Sequence, residues 1–241
     1  MTLKSVRVPK DMEPLFEKAE KFVEDYFKGF SHNMGQGVLN IGGERYILVR
    51  ASSMSVEFFE YIKGMYPGLN EIEAAEASAS ILFDMAHAIG KADAMDFHRR
   101  MGVTDPVAKL SSGPIHFAYT GWALVDIFPE SRPSPDENYY LIYDHPNSFE
   151  ADSWIKKNTP PGENKDPVLR TDIPVCFMNA GYSSGWCEQS FDVELKAEEI
   201  LCRAQGDDCC RFIMGHPKRL QGYIQEYKKA HPELFRKADD F

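Results

Sequence analysis

Between Pro174 and Phe212 the chain reads PVCFMNAGYSSGWCEQSFDVELKAEEILCRAQGDDCCRF, and no other stretch limits its fold as much. Cys176, Glu199, Cys202 and Cys210 stand in it at spacings that suit metal ligands. Glu199 and Cys202 form an ExxC step, and Cys202 and Cys210 bracket a short polar turn with Gly206 near its middle. Zinc takes tetrahedral sets of thiolate, imidazole and carboxylate. A turn that carries two ligands, closed by a third from a distant element, is one way to build such a set. The other reading is a group of free buried thiols, because cysteine is among the most buried residue types and the chain has no CxxC pair. Spacing alone leaves both readings open.

A chain of 241 residues can bury a sizeable core, as one large domain or two small ones. Its 43% hydrophobic and 27% charged residues are those of an ordinary globular protein. A net charge of -10 argues against a nucleic-acid-binding face, since phosphate backbones recruit clustered Lys and Arg, and it does not favour anionic membranes. No apolar run has the length of a membrane span, and the N-terminal MTLKSVRVPKDMEP lacks the apolar core of a signal peptide. Five cysteines, an odd number, suit a reducing cytoplasm better than a disulfide scaffold.

Residues 12–30 carry Leu15, Phe16, Ala19, Phe22, Val23, Tyr26, Phe27 and Phe30 at helical spacing. That apolar face covers either the chain's own core or a second copy. Two apolar runs flanking Gly42-Gly43 predict a hairpin. Ser53 is expected to cap a helix through Tyr66, stopped by Pro67-Gly68. Residues 70–101 form the longest helical pattern, with a mild break expected at Gly90. On it, His87 reads as a core residue rather than a ligand, and His98, beside Arg99 and Arg100, as solvent-facing. A helix over 106–119 is expected to be interrupted at Gly113-Pro114. Strands follow at 122–128 and 139–145, an antiparallel pair, then a short helix with Phe149 and Trp154 facing inward. TPPGENKDP (159–167) reads as a solvated loop. Thr171 or Asp172 is expected to open the next helix, with Pro174 in its first turn. Two more strands form a hairpin about Gly206–Asp208, and a polar helix closes the chain. Helices and antiparallel strand pairs without a βαβ rhythm give an α+β class: an antiparallel sheet flanked by helices, with a metal-binding C-terminal hairpin.

Several chemistries find no motif. The chain has no GxxxxGK[ST], no GxGxxG after a strand, no GxSxG elbow and no HExxH. Gly181–Gly185 (GYSSG) is a loose match to an elbow, but its serines fall on a helix, where small residues more often serve close packing. Cys209 precedes Cys210 in a strand, so its side chain points to the other face and away from the same metal.

With those residues laid out, the chain resembles the sensory domain of the XylR/DmpR/MopR group of aromatic-catabolism activators, whose C-terminal half is a 4-vinyl reductase domain. The matching blocks are PVC (174–176), GYSSG (181–185), the ExxC of Glu199 and Cys202, and the Gly206-Asp207 turn leading to Cys210 and Arg211. Upstream, LVR (48–50), LSSGP (110–114) and SFEAD (148–152) also match, so the resemblance runs from about residue 35 to 220. It implies a homodimer, with residues 1–68 as a helix-and-hairpin dimerisation part. It implies a ligand-binding domain over 69–220, of which 170–215 is 4-vinyl reductase-like, and a C-terminal helix or linker over 221–241. It also implies a structural Zn2+ on Cys176, Glu199, Cys202 and Cys210, a closed set with no position for water. The family's pocket holds a small aromatic effector. The His and Trp with which phenol-sensing members grip the hydroxyl fall here at Phe117 and His145, a departure at both positions, with His116 adjacent to the first. His116, Phe117, Tyr143, His145, Tyr182 and Trp186 are the candidate ligand-binding residues.

The expected function is a cytoplasmic, zinc-stabilised sensor for an aromatic or similar apolar effector, active in transcription regulation. It would signal through the C-terminal helix to a partner or effector module, with no direct nucleic-acid or membrane binding. The ATPase and DNA-binding modules of the group are not in this sequence. A small pocket enzyme of the 4-vinyl reductase type, acting on an aromatic or tetrapyrrole substrate through His145 and Tyr182, is the alternative, and no catalytic residue is assigned for it. A third reading is a dimeric scaffold with its pocket filled by a lipid.

Overall fold

The computed structural model describes residues 3–159 and 170–235; residues 160–167 of the expected loop and the end of the C-terminal segment lie outside it. A five-stranded sheet forms the centre, in the order β1 (Val6–Arg7), β5 (Val125–Ile127), β6 (Tyr140–His145), β8 (Cys210–Gly215) and β7 (Lys196–Leu201). β1 pairs parallel with β5, and every other pairing is antiparallel. A second sheet of β2 (Ser31–Asn33), β3 (Val38–Ile41) and β4 (Glu44–Tyr46) is antiparallel throughout, with the expected turn at Gly42 and Gly43. Both turn glycines have positive φ, 58° and 90°, the region a two-residue hairpin turn of this kind requires. The class is α+β, as the pattern predicted.

The sheet is covered on both sides, which explains why all six residues of β6 are buried. Tyr140 and Ile142 join Ile213, Leu220 and Ile224 under α8 (Pro217–Ala230). Leu141 and Tyr143 alternate to the other face, with Phe212 and Met214, and belong to the main core. On the α8 face Arg211 forms a two-pronged pair with Asp144 at 2.7 and 2.8 Å, and donates to Tyr227 Oη at 2.7 Å.

On the main-core side, α4 (Glu71–Met101) and α7 (Phe177–Phe191) lie against each other, with α5 (Pro106–Tyr119) beside them. Asn70 opens α4 with a reciprocal capping box to Glu73, and Gly102 ends it in the left-handed region. Gly90 does not break α4. A Cβ there would stand 2.3 Å from Tyr182 O, and one on Gly181 or Gly185 would stand 2.2 Å from Phe83 O or 2.1 Å from His87 O. These glycines let two backbones touch, which is what the GYSSG segment is for. Ser184 in the same segment donates to Ala180 O and accepts from Ala197 N, a structural use of its hydroxyl.

Other boundaries differ from expectation for identifiable reasons. α5 runs through Pro114 without interruption, since one helical proline removes a single bond. Gly113 is small because a Cβ would meet the Trp186 indole at 2.7 Å. The 53–66 helix is two pieces, α2 (Ala51–Met54) and α3 (Val56–Gly64), and Ser53 lies inside the first rather than capping it. The backbone breaks at Ser55, whose hydroxyl donates to Ala51 O at 3.1 Å. The strand expected at 122–128 is reduced to β5, with Ala123 bridging Ser148. His98 is buried rather than solvent-facing, because Ser190 and Trp186 of α7 cover it. His87 is a partner of Glu188 at 2.9 Å rather than a core residue, and it is partly exposed at the helix junction.

α1 (Glu13–Lys28) buries Phe16, Ala19 and Val23 against its own chain, chiefly α5. Its hairpin is tied to α4 by Arg100, which donates to Gly42 O at 3.1 Å and pairs with Glu44 and Asp96.

Overpacking costs about 1–3 kcal/mol, and for a domain of this size each kcal/mol shifts Tm by about 2–4 °C. Gly181→Ala, which forces α4 and α7 apart, is expected to lower the calorimetric midpoint by roughly 2–10 °C. Gly64→Ala, whose Cβ would meet nothing within 4 Å, is expected to leave it unchanged or slightly raised.

Candidate functional site

The four residues singled out for a metal do come together. Cys176 sits immediately before α7, Glu199 is in β7, Cys202 follows β7 and Cys210 opens β8. One ligand atom from each lies within 4.8 Å of the others. In a regular strand, residues three apart point to opposite faces. Here the β7–β8 register shifts between Glu199 and Leu201, and this irregularity turns Glu199 and Cys202 toward the same point. Cys176 Sγ and Cys210 Sγ are 3.6 Å apart, and Cys176 N donates to Glu199 Oε2 at 2.8 Å. Glu199 Oε1 is buried with no hydrogen-bond partner, an acceptor aimed at nothing the chain supplies. All five cysteines are free thiols, and Cys209 stays outside the cluster. Burial raises the Cys176 thiol and the Glu199 carboxyl well above their usual ranges, while hydrogen bonds from the Cys176 and Cys210 thiols lower Cys202. One thiolate is already favoured, and a divalent cation would draw the remaining protons off. Soft thiolates with one carboxylate, enclosed by the fold, are a donor set that fits a structural metal.

A local cap was expected to open α7 at Thr171 or Asp172. The helix instead begins at Phe177, beyond Pro174, and its cap comes from α6 (Phe149–Asn158). The fully buried Glu150 accepts from Met178 N at 2.9 Å and Asn179 N at 2.8 Å. Burial pushes its carboxyl up to about 8. Ser148 caps α6, lies 3.1 Å from Cys176 Sγ and accepts from Asn179 Nδ2 at 2.7 Å. The SFEAD segment thus holds the start of α7, and with it Cys176.

Between α5, α7 and the sheet lies an apolar cavity with ≈ 30 Å³ of free volume. Phe117, Tyr143, Tyr182 and Trp186 line it, four of the six residues named from sequence. His116 and His145 do not reach it. His116 stacks behind Trp186 and Tyr182, and His145 packs behind Phe117 and Tyr143. Tyr182 Oη donates to Asp93 Oδ2 at 2.8 Å and stands 2.9 Å from His116 Nδ1, while His116 Nε2 and both nitrogens of His145 are buried without partners. Burial holds both imidazoles down at about 3, so they are neutral at ordinary pH. The sequence reading missed Val125, Ile127, Leu141 and Met214 in the lining. Strand alternation on β5 and β6 was the available signal for the first three.

Residues 167–216 match the family model of the 4-vinyl reductase domain. That segment contains the whole metal cluster and α7. The complete chain has the fold of a sensory domain. Its similarity is to "the phenol-responsive sensory domain of the transcription activator PoxR with Phenol", at TM-score 0.66 and 17% identity over 95% of this chain and 100% of that one. A weaker likeness, at TM-score 0.45 and 13% identity, is to trafficking protein particle complex subunit 3 from Naegleria fowleri covalently bound to palmitic acid, over 68% of this chain and 93% of that one. No curated protein sequence matches. Among the described residues, no helix is long and apolar enough to cross a membrane.

An unfolded chain protonates His116 near 6.5, whereas the folded protein resists protonation down to about 3. Stability therefore falls as pH drops through that window, by about 1.4 kcal/mol per pH unit from this residue. His116→Gln is expected to remove that part of the acid slope in urea titrations run between about pH 7 and 4.

Proposed function

We propose that this chain is a sensor domain that holds a small, neutral, apolar or aromatic effector between α5, α7 and the sheet. A structural Zn2+ on Cys176, Glu199, Cys202 and Cys210 would fasten the C-terminal hairpin beside the effector. The observation that carries the reading is the enclosed cavity walled by Phe117, Tyr143, Tyr182 and Trp186, with no Lys, Arg, Asp or Glu in its lining. An apolar, largely preformed hollow with few polar groups is the usual form of a small-molecule site. The free volume is below the ~150 Å³ of an engineered cavity that takes benzene, so binding would widen it. The shared fold with a phenol-responsive sensory domain supports an aromatic effector. The partnerless nitrogens of His116 and His145 supply polar handles close behind the wall.

Zinc is favoured over harder cations by the three thiolates. A tetrahedron with Zn–S bonds of about 2.3 Å has an edge of about 3.8 Å, and the Cys176–Cys210 sulfur separation of 3.6 Å is close to it. The reading includes a cytoplasmic homodimer formed through the N-terminal part, where Ile47 and Leu48 are 78% and 84% exposed. It includes output through α8, clamped to the sheet by Arg211, toward transcription regulation. A second, enzymatic reading rests on the Asp93–Tyr182–His116 chain beside the cavity, which resembles a proton relay. Consumption of an added aromatic, lost in Tyr182→Phe, would favour it over the sensor.

Native mass spectrometry of protein purified from cells is expected to show a dimer with one zinc per chain, and a retained or addable aromatic such as phenol. A well-folded, metal-free protein would overturn the zinc assignment. Stripping zinc with a chelator, or Cys202→Ser, is expected to lower the melting midpoint by roughly 10 °C or more, because metal binding is linked to folding. Cys209→Ser, outside the cluster, is expected to leave both zinc content and midpoint near wild type.

A further inference from the structure

A second, larger hollow opens on the surface beside the first. It has ≈ 540 Å³ of free volume, within the usual range for small-molecule sites, and runs between α2, α6 and the segment after α5. Trp122 and Phe149 form its aromatic floor, with their rings edge to face at 5.2 Å. Two of its charged side chains are already paired: Arg50 with Glu57, and Asp152 with Arg203. A neutral solute is therefore the occupant that the groove disfavours least.

The same Trp122 ring packs at 4.8 Å on Tyr182 and 5.4 Å on Phe117, both of which line the inner cavity. One indole thus separates the outer groove from the inner wall. Phe117, Tyr143, Tyr182 and Trp186 are each only 2% exposed, so no ligand reaches the cavity without a side chain moving. Trp122 is partly exposed, and its main chain is held in place. Its N–H donates to Phe117 O and its carbonyl accepts from Phe149 N, each at 3.0 Å, and Ala123 bridges Ser148. Motion at this point is therefore confined to the side-chain torsions, and the direction with space is outward, into the groove.

We infer that Trp122 is the gate of the aromatic-binding cavity and that the outer groove is the antechamber through which a neutral aromatic passes. This rests on the cavity reading above. In the closed state the indole completes the wall around Tyr182 and Phe117. When it turns toward Phe149 the two hollows join, which supplies the volume that the inner cavity lacks for a ring. Trp122 is then a positioning residue that sets the exchange rate and the size of ligand admitted.

The test is stopped-flow binding of phenol, read by Trp186 fluorescence, on the intact chain, with the equilibrium Kd measured separately by calorimetry. Trp122→Ala is expected to raise association and dissociation rates together, by about tenfold or more, with a smaller change in Kd. Phe149→Ala, which removes the obstacle on the groove side and touches no cavity-lining residue's role, is expected to raise both rates at unchanged Kd. It also serves if Trp122→Ala fails to fold, and so does Trp122→Leu. Binding by the variants but not by wild type supports the gate. Rates unchanged in both variants, with phenol still bound, would sink the gate and leave the cavity reading standing. No binding by any of the proteins would end both.

Discussion

The contact between α4 and α7 governs the rest of this structure. Three glycines, Gly90, Gly181 and Gly185, let the two backbones meet without intervening side chains. That proximity fixes the height and rotation of α7 against the sheet. Cys176 at its start, Tyr182 near its middle and Trp186 one turn further on are all placed by it. The metal cluster and the cavity are therefore two ends of one helix whose position is set by steric fit. Packed interiors tolerate little slack, so a fraction of an ångström here is felt at both ends.

The start of α7 is secured from outside the helix. Glu150, a carboxylate buried in α6, fills the place of a local N-cap, and Ser148 touches both Asn179 and Cys176. Negative charge at a helix N-terminus is favourable, and exposed backbone N–H groups there need acceptors. A buried carboxylate still costs desolvation, which is why its proton affinity is raised. The same residues thus serve helix capping and ligand positioning, and α6 cannot shift without disturbing the thiols.

The sequence made the cluster legible because Cys, Glu, Cys and Cys carry a chemical signature that survives without knowledge of the fold. It also made the hairpin at Gly42-Gly43 and the capping box at Asn70 legible, since both are local. What it obscured was tertiary. Gly90 read as a helix break and Gly113-Pro114 as an interruption, yet both are clearances for side chains and backbone arriving from α7. Thr171 and Asp172 read as caps because nothing local announces that Glu150, over 20 residues earlier, provides one. His98 looked exposed beside two arginines, although the face it occupies is the one α7 covers. Trp122 carried no signal, because its place between two hollows depends on loop geometry that periodicity does not encode.

The Arg211–Asp144 pair has a further consequence. Strand residues alternate sides, so Asp144 and Arg211 sit one step from His145 and Cys210 on the opposite face. The sheet at this point is a single layer with the cavity and thiols on one side and α8 on the other. A buried two-pronged ion pair tolerates little sliding, because separating it strands two desolvated charges. Strands β6 and β8 are therefore locked in register where they carry Cys210. Any rearrangement that tilts β8 on one side must move the guanidinium on the other, and Tyr227 with it. The molecule has in effect a rigid two-sided lever one residue thick.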